Sequence, residues 1–220
     1  SRNRLIGIEH RKADTSLIAS YAYTLSGTGQ RSQVVETTPA LTRTVAYGYD
    51  ALYRLTSETV TSGAATATTT YAYDAVGNRT QEEAFDPGGT LARTRSRVYD
   101  SLNRLAQEVG AVAQTTTHGY DGNGNRLTTT DPLNRVTANA YDALNRLLAV
   151  TDPAAGVTRY AYDTSGNLVS VTDPRDLVTT YGYDGLGNAV TQVSPDTGTT
   201  TRTFDAAGNV KTSTRLTPLP

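Results

Sequence analysis

The chain contains no cysteine, no methionine and no tryptophan, and only two histidines among its 220 residues. Without cysteine there is no disulfide, no thiolate metal site and no thiol nucleophile. The two histidines, His10 and His118, are too far apart in sequence to suggest a zinc centre built from imidazoles and carboxylates. An excess of either charge is also lacking. The 20 basic and 21 acidic residues nearly cancel and are scattered, so there is no basic stripe for nucleic acid or an anionic membrane surface. No run approaches the roughly 18 apolar residues of a spanning helix. Hydrophobic content of 37% and a mean hydropathy of −0.43 fit a folded chain able to bury some core, rather than a disordered tract.

What is present is periodic. Tyr99, Tyr120, Tyr141, Tyr162 and Tyr183 lie 21 residues apart, each followed by aspartate, and Phe204-Asp205 continues the series. Upstream, Tyr23-Thr24, Tyr49-Asp50 and Tyr73-Asp74 mark a looser beat, with intervals of 26, 24 and 26 leading to Tyr99. A repeat of this length is one supersecondary unit that leans on its neighbours. With the motif tyrosine as position i, position i−2 is again tyrosine in Tyr21, Tyr47, Tyr71, Tyr160 and Tyr181, and becomes Arg97, His118, Asn139 or Arg202 elsewhere. Position i−1 is mostly small, as in Ala22, Gly48, Ala72, Gly119, Ala140, Ala161 and Gly182. Large and small residues alternating with period two predict a strand.

Position i+4 is Gly27, Gly77, Gly124, Gly166, Gly187 or Gly208, and Asn103 or Asn145 in two further copies. Glycine and asparagine share a tolerance of positive φ, so the Tyr-Asp strand is expected to end in a tight turn with a left-handed residue. Tyr53 occupies that place in one copy, which predicts strain or a different turn. The aspartate at i+1 suits a turn opening, where its carboxylate accepts backbone N–H bonds. After a Thr- and Val-rich return strand, Asp86-Pro87, Asp131-Pro132, Asp152-Pro153 and Asp173-Pro174 predict a second kind of turn. The looser early spacing is expected from longer second turns at Ser62-Gly63-Ala64-Ala65 and Asp86-Pro87-Gly88-Gly89. Each copy is thus a two-strand antiparallel hairpin, and its tyrosines form ladders along one face, either packed on one another or lining an inner wall.

Tyr141-Asp142-Ala143-Leu144-Asn145-Arg146-Leu147 and Tyr73-Asp74-Ala75-Val76-Gly77-Asn78-Arg79 resemble the YD repeat of Rhs proteins. That family includes polymorphic toxins, the C component of Tc toxins, wall-associated proteins and teneurins. The resemblance runs over residues 1–220, in about nine copies preceded by a partial one at Asn3-Arg4-Leu5, and the chain is expected to be a piece of a longer one. It implies an all-β fold in which hairpins build a long, twisted, spiralling sheet, part of a hollow shell around a C-terminal cargo such as a toxin. It also implies a secreted or cell-surface protein. Nothing here matches the family's autoproteolytic region, and the chain runs out at Leu216-Thr217-Pro218-Leu219-Pro220. Arginine dominance, with Lys12 and Lys211 the only lysines, agrees with a GC-rich bacterial source.

The residues carrying the motif are Tyr49, Asp50, Tyr73, Asp74, Gly77, Tyr99, Asp100, Tyr120, Asp121, Gly124, Tyr141, Asp142, Tyr162, Asp163, Gly166, Tyr183, Asp184, Gly187, Phe204, Asp205 and Gly208. Their role is read as structural, because a residue recurring in every copy serves the scaffold whereas a catalytic residue is needed once. Other constellations fail on chemistry. Asp121-Gly122-Asn123-Gly124-Asn125 begins like a calcium loop, but Arg126 and Pro132 stand where glycine and a bidentate acid are required. Gly27-Thr28-Gly29 lacks the helix and lysine of a phosphate loop. The sequence therefore predicts no enzyme activity, no cofactor, no metal site, no nucleic acid and no membrane insertion. Expected partners are other segments of the same protein, an enclosed polypeptide, or identical chains added end to end into a filament, with cell-surface glycans a further use of the tyrosines.

Overall fold

The computed structural model describes residues 4–110, 112 and 114–216. Asn3 and the last four residues lie outside them. The chain divides into two units, Ser1–Thr116 and Thr117–Pro220. The first holds β1 (Gly7–Arg11), β2 (Leu17–Leu25), β3 (Arg31–Thr37), β4 (Thr42–Tyr49), β5 (Leu55–Ser62), β6 (Ala65–Tyr73), β7 (Arg79–Phe85), β8 (Leu91–Tyr99) and β9 (Leu105–Val109). The second opens within β10 (Thr115–Tyr120) and continues with β11 (Arg126–Thr130), β12 (Val136–Tyr141), β13 (Leu147–Thr151) and β14 (Val157–Tyr162). It ends with β15 (Leu168–Thr172), β16 (Val178–Tyr183), β17 (Ala189–Ser194), β18 (Gly198–Phe204) and β19 (Val210–Leu216). Within each unit every strand pairs antiparallel with the next in sequence, and no helix occurs among the described residues. The fold is all-β, a tandem run of hairpins.

Neither unit has a second layer. Among the described residues only Val34, Val45, Ser194 and Gly198 are buried, so the side chains of both faces stay partly accessible. With so little core, stability must come from ladder bonds and from contacts between neighbouring strands.

The turns correct two expectations. The Asp-Pro edge does not use a separate kind of turn. At Asp131 as at Asp142, the aspartate N–H donates to the carbonyl four residues on, and the N–H of the third residue returns to the aspartate carbonyl. This is a type I turn followed by a left-handed residue. That residue is Asn134 (φ 60), Ala155 (φ 67) and Asp176 (φ 60) on the Asp-Pro edge, matching Asn145 (φ 61) on the other. Nor do longer loops explain the early spacing. Strands β2 to β8 have seven to nine residues where β10 to β17 have five or six. Ser62-Gly63-Ala64-Ala65 is in fact a two-residue turn, with Ser62 opposite Ala65.

In the first copy the turn runs from Ser26 to Gln30, so Leu25 takes the place assigned to Tyr23, and Gly29 (φ 97), not Gly27, is left-handed. Turns then open at Ser26, Thr38, Asp50, Ser62, Asp74 and Asp86, 12 residues apart, and the early beat becomes regular. In the second unit, Asp121, Asp131, Asp142, Asp152, Asp163, Asp173 and Asp184 follow at alternating steps of 10 and 11.

An odd period of 21 poses a geometric problem, because residues 21 apart on a regular meander would face opposite sides. One β-bulge per copy resolves it. Directly after each Tyr-Asp turn the register slips by one, as Tyr141 opposite Leu147 gives way to Ala140 opposite Ala149. The same slip follows Tyr120, Tyr162, Tyr183 and Phe204. The extra residue restores every tyrosine to one face. Where the period is 24, a two-residue turn on the opposite edge supplies a second change of parity.

Tyr53 adopts φ 65 within an unaltered turn, a conformation costing about 1–2 kcal/mol for a residue with a Cβ. Tyr53→Asn, the residue used at Asn103 and Asn145, is expected to stabilise the chain by about 1 kcal/mol in urea unfolding. A lower unfolding midpoint would show that the ring makes contacts outweighing the strain.

Candidate functional site

The motif residues converge on one edge of the array in each unit, where every Tyr-Asp strand ends. Asp142 shows the arrangement. Its Oδ1 accepts the backbone N–H groups of Leu144 and Arg146, both at 2.9 Å, and its Oδ2 accepts Arg146 Nε at 2.7 Å. Asp50 and Asp100 are engaged alike with Arg54 and Arg104. At Asp74, Asp121, Asp163, Asp184 and Asp205 the fourth residue on is asparagine, whose Nδ2 reaches Oδ2. Position i+5, arginine or asparagine in all eight of these copies, is the partner that sequence reasoning missed. Its invariance of type was the available signal.

The same side chain reaches the next copy. Arg146 donates from Nη1 to the Asp163 carbonyl at 3.3 Å and places its guanidinium 4.8 Å from the Tyr162 ring centre. Arg54 repeats this with the Asp74 carbonyl at 3.0 Å and the Tyr73 ring at 4.8 Å. Asn78 and Asn125 donate instead to the Oδ1 of Asn103 and Asn145, at 3.1 and 2.7 Å. Turn is thereby tied to turn.

The tyrosines do not stack on each other, contrary to one expectation. The one ring pair among the described residues is His10 with Tyr21, edge to face at 6.3 Å. Rings two strands apart are about 9.6 Å from one another, too far for ring contact, and arginines fill the gap. Six motif hydroxyls instead donate to the carbonyl that begins the preceding copy's bulge. Tyr73 binds Leu55 at 2.7 Å, Tyr99 binds Arg79 at 3.1 Å, Tyr162 binds Leu147 at 3.0 Å and Tyr183 binds Leu168 at 2.9 Å. Tyr49 and Tyr141 reach Arg31 and Arg126 in the same way. Phe204, lacking a hydroxyl, leaves the Ala189 carbonyl without this bond.

The small i−1 column also has a local cause. A Cβ on Gly48, Gly119 or Gly182 would come within 2.3 to 2.5 Å of the hydroxyl of Ser57, Thr128 or Thr191 across the ladder. Of the glycines at i+4, Gly77, Gly124, Gly166, Gly187 and Gly208 all have positive φ. His118 contacts Thr129 Oγ1 at 3.2 Å, an ordinary strand-face position. The Asp121 carboxylate is spent on its own turn, accepting from Asn123 and Asn125. Gly27 and Thr28 belong to the first turn.

Residues 99–136, 141–176 and 162–199 match the family model of the RHS repeat. Those residues carry RHS repeats. No curated protein matches it in sequence. Among solved structures, it superposes on a crystal structure of TcdB2-TccC3 without the hypervariable C-terminal region, with a TM-score of 0.67 and 13% identity. That match covers 93% of this chain and 12% of the other. A crystal structure of TcdB2-TccC3-Cdc42 gives a TM-score of 0.63 and 14% identity over 96% of this chain and 15% of that one. These RHS repeats thus share the fold of a short stretch of much longer chains. They form a structural repeat segment.

Hydrogen bonding lowers the pKa of the turn carboxylates. At Asp50, Asp100, Asp142 and Asp205 the largest cause is the backbone N–H at i+5. At Asp121, Asp163 and Asp184 it is the side-chain amide of Asn125, Asn167 and Asn188. At Asp74 desolvation is the largest influence and pushes upward, but the bonds from Asn78, Gly77 and Val76 outweigh it. A carboxylate whose folded pKa lies below its unfolded value stabilises fully above the unfolded value and loses that contribution as pH falls through the folded one. Urea stability is therefore expected to hold from neutrality to about pH 4 and to decline below it. Asp142→Asn with Asp163→Asn should make the decline shallower, whereas an unchanged slope would remove the turn carboxylates from the account.

Proposed function

We propose that this RHS-repeat array is a stretch of wall in a secreted or cell-surface protein, built to enclose another polypeptide rather than to catalyse a reaction. The observation that carries the reading is a tandem sheet without a second layer in either unit. An ordinary domain buries one face of its sheet against further structure. Here both faces remain accessible, and the recurrent polar bonds run sideways from copy to copy. Such a design extends a surface indefinitely. The likeness in fold to stretches of TcdB2-TccC3, and the resemblance to repeats that build shells, support the same role.

A filament is the second reading, because β19 pairs on one side only with β18 and every one of its residues is exposed. Such an edge can accept another strand. Glycan stacking has less room, since guanidinium groups lie over the rings of Tyr23, Tyr71, Tyr73 and Tyr162.

Electron microscopy of the 220 residues beside a chain extended by its natural flanks separates the readings. The wall reading predicts hollow particles from the extended chain, with a protease-resistant polypeptide inside, and no fibres from the shorter one. Fibres that lengthen with concentration from the 220 residues alone would overturn it in favour of polymerisation.

A further inference from the structure

Four glutamates of the first unit stand across a ladder from a tyrosine or arginine: Glu36 opposite Tyr21, Glu58 opposite Tyr47, Glu82 opposite Tyr71 and Glu108 opposite Arg97. Three of them hold an arginine of the chain. Glu36 pairs with Arg43, Glu82 with Arg93 at 2.9 Å and Arg79 at 3.3 Å, and Glu108 with Arg97 at 3.0 Å and Arg95 at 3.5 Å. Among the described residues no ion pair or hydrogen bond reaches the carboxylate of Glu58. Thr69 faces Glu58 across the ladder, where Arg43 faces Glu36 and pairs with it. Glu82 faces Arg95, which pairs with Glu108, and is held by Arg93 and Arg79 instead.

Glu58 is half-buried and lies between two aromatic neighbours, Tyr47 directly across β4 and Tyr71 diagonally across β6. Burial first, and then the charge of Glu58, push both phenol groups up, which agrees with a carboxylate close to each. The nearby cations belong elsewhere. Arg31 lies 4.4 Å over the Tyr23 ring, while Arg79 lies 5.2 Å over Tyr71 and pairs with Glu82. A half-buried carboxylate without donors is costly, so a cation from outside gains more here than at a solvated surface acid.

We propose that Tyr47, Glu58 and Tyr71 form a receptor for the guanidinium of an arginine carried by a second polypeptide segment laid against the tyrosine face. Guanidinium fits better than ammonium because it offers a planar fork to the carboxylate and a flat face to the rings. The array itself pairs Glu36, Glu82 and Glu108 with arginine. The inference rests on no particular assembly, since a polypeptide can lie on this face in a shell, a filament or a lone chain.

The test is an NMR titration of the 220-residue chain with N-acetyl-arginine amide, with the neutral isostere N-acetyl-citrulline amide as control. Saturable shifts of the Tyr47 and Tyr71 ring protons are expected with the arginine compound only, weakened about tenfold or more in Glu58→Gln. Thr69→Arg should fill the receptor from within, raising Tm and abolishing the saturable shift. Equal shifts from both compounds, or an arginine titration unaltered in Glu58→Gln and Thr69→Arg, would overturn the proposal.

Discussion

A sheet one layer thick cannot shelter its side chains behind other structure, and that constraint governs the remainder of this molecule. Backbone ladders satisfy the polar groups along the strands, but the strand ends and the bulges need other partners. The aspartate at i+1 supplies them at the turns, accepting two backbone N–H groups with one oxygen and the i+5 side chain with the other. The tyrosine at i supplies a donor to the bulge carbonyl of the copy before. The tyrosine, and the i+5 side chain where it reaches the next turn, point sideways, so each copy completes its neighbour, and no copy contains all the bonds that hold it.

The bulge links geometry to sequence. An odd repeat would scatter the tyrosines over both faces, and the extra residue after each Tyr-Asp turn prevents this. It also exposes the carbonyl that the next tyrosine binds, which gives a reason for tyrosine in preference to phenylalanine. Copies with an even repeat need a second change of parity and obtain it from the tight turns at Pro39-Ala40 and Gly63-Ala64 or from a second bulge at Phe85. Spacing, turn type and aromatic column are one solution to one problem. The wall reading follows from this economy, because a unit that bonds only to its neighbours can be added without redesign.

Much of this was legible beforehand. The interval between Tyr99 and Tyr183, the alternation at i−2 and i−1, and glycine or asparagine at i+4 define the hairpins and one of their turns, because period-two patterning and positive φ leave direct marks on composition. Other features leave weaker marks. Ala155 and Asp176 are left-handed because the preceding aspartate closes the turn around them, and neither residue type announces it. Tyr23 carries an aromatic two positions early, since β2 continues to Leu25, and only the hydrogen bonds of Ser26 reveal the shift. The resemblance of Asp131-Pro132-Leu133-Asn134-Arg135 to Asp142-Ala143-Leu144-Asn145-Arg146 was present in the sequence and shows why both edges share a turn. Partnerships across copies, such as Tyr162 with Leu147, involve residues too distant for local patterning to register.

The central claim is that sideways bonds between copies hold the array, and hydrogen exchange on Tyr162→Phe tests it most directly. Losing one hydroxyl should cost about 1 kcal/mol and speed amide exchange about fivefold in β13 and β14, while β18 and β19 keep their wild-type rates. Unchanged exchange in β13 and β14 would contradict the claim, as would equal acceleration throughout the second unit.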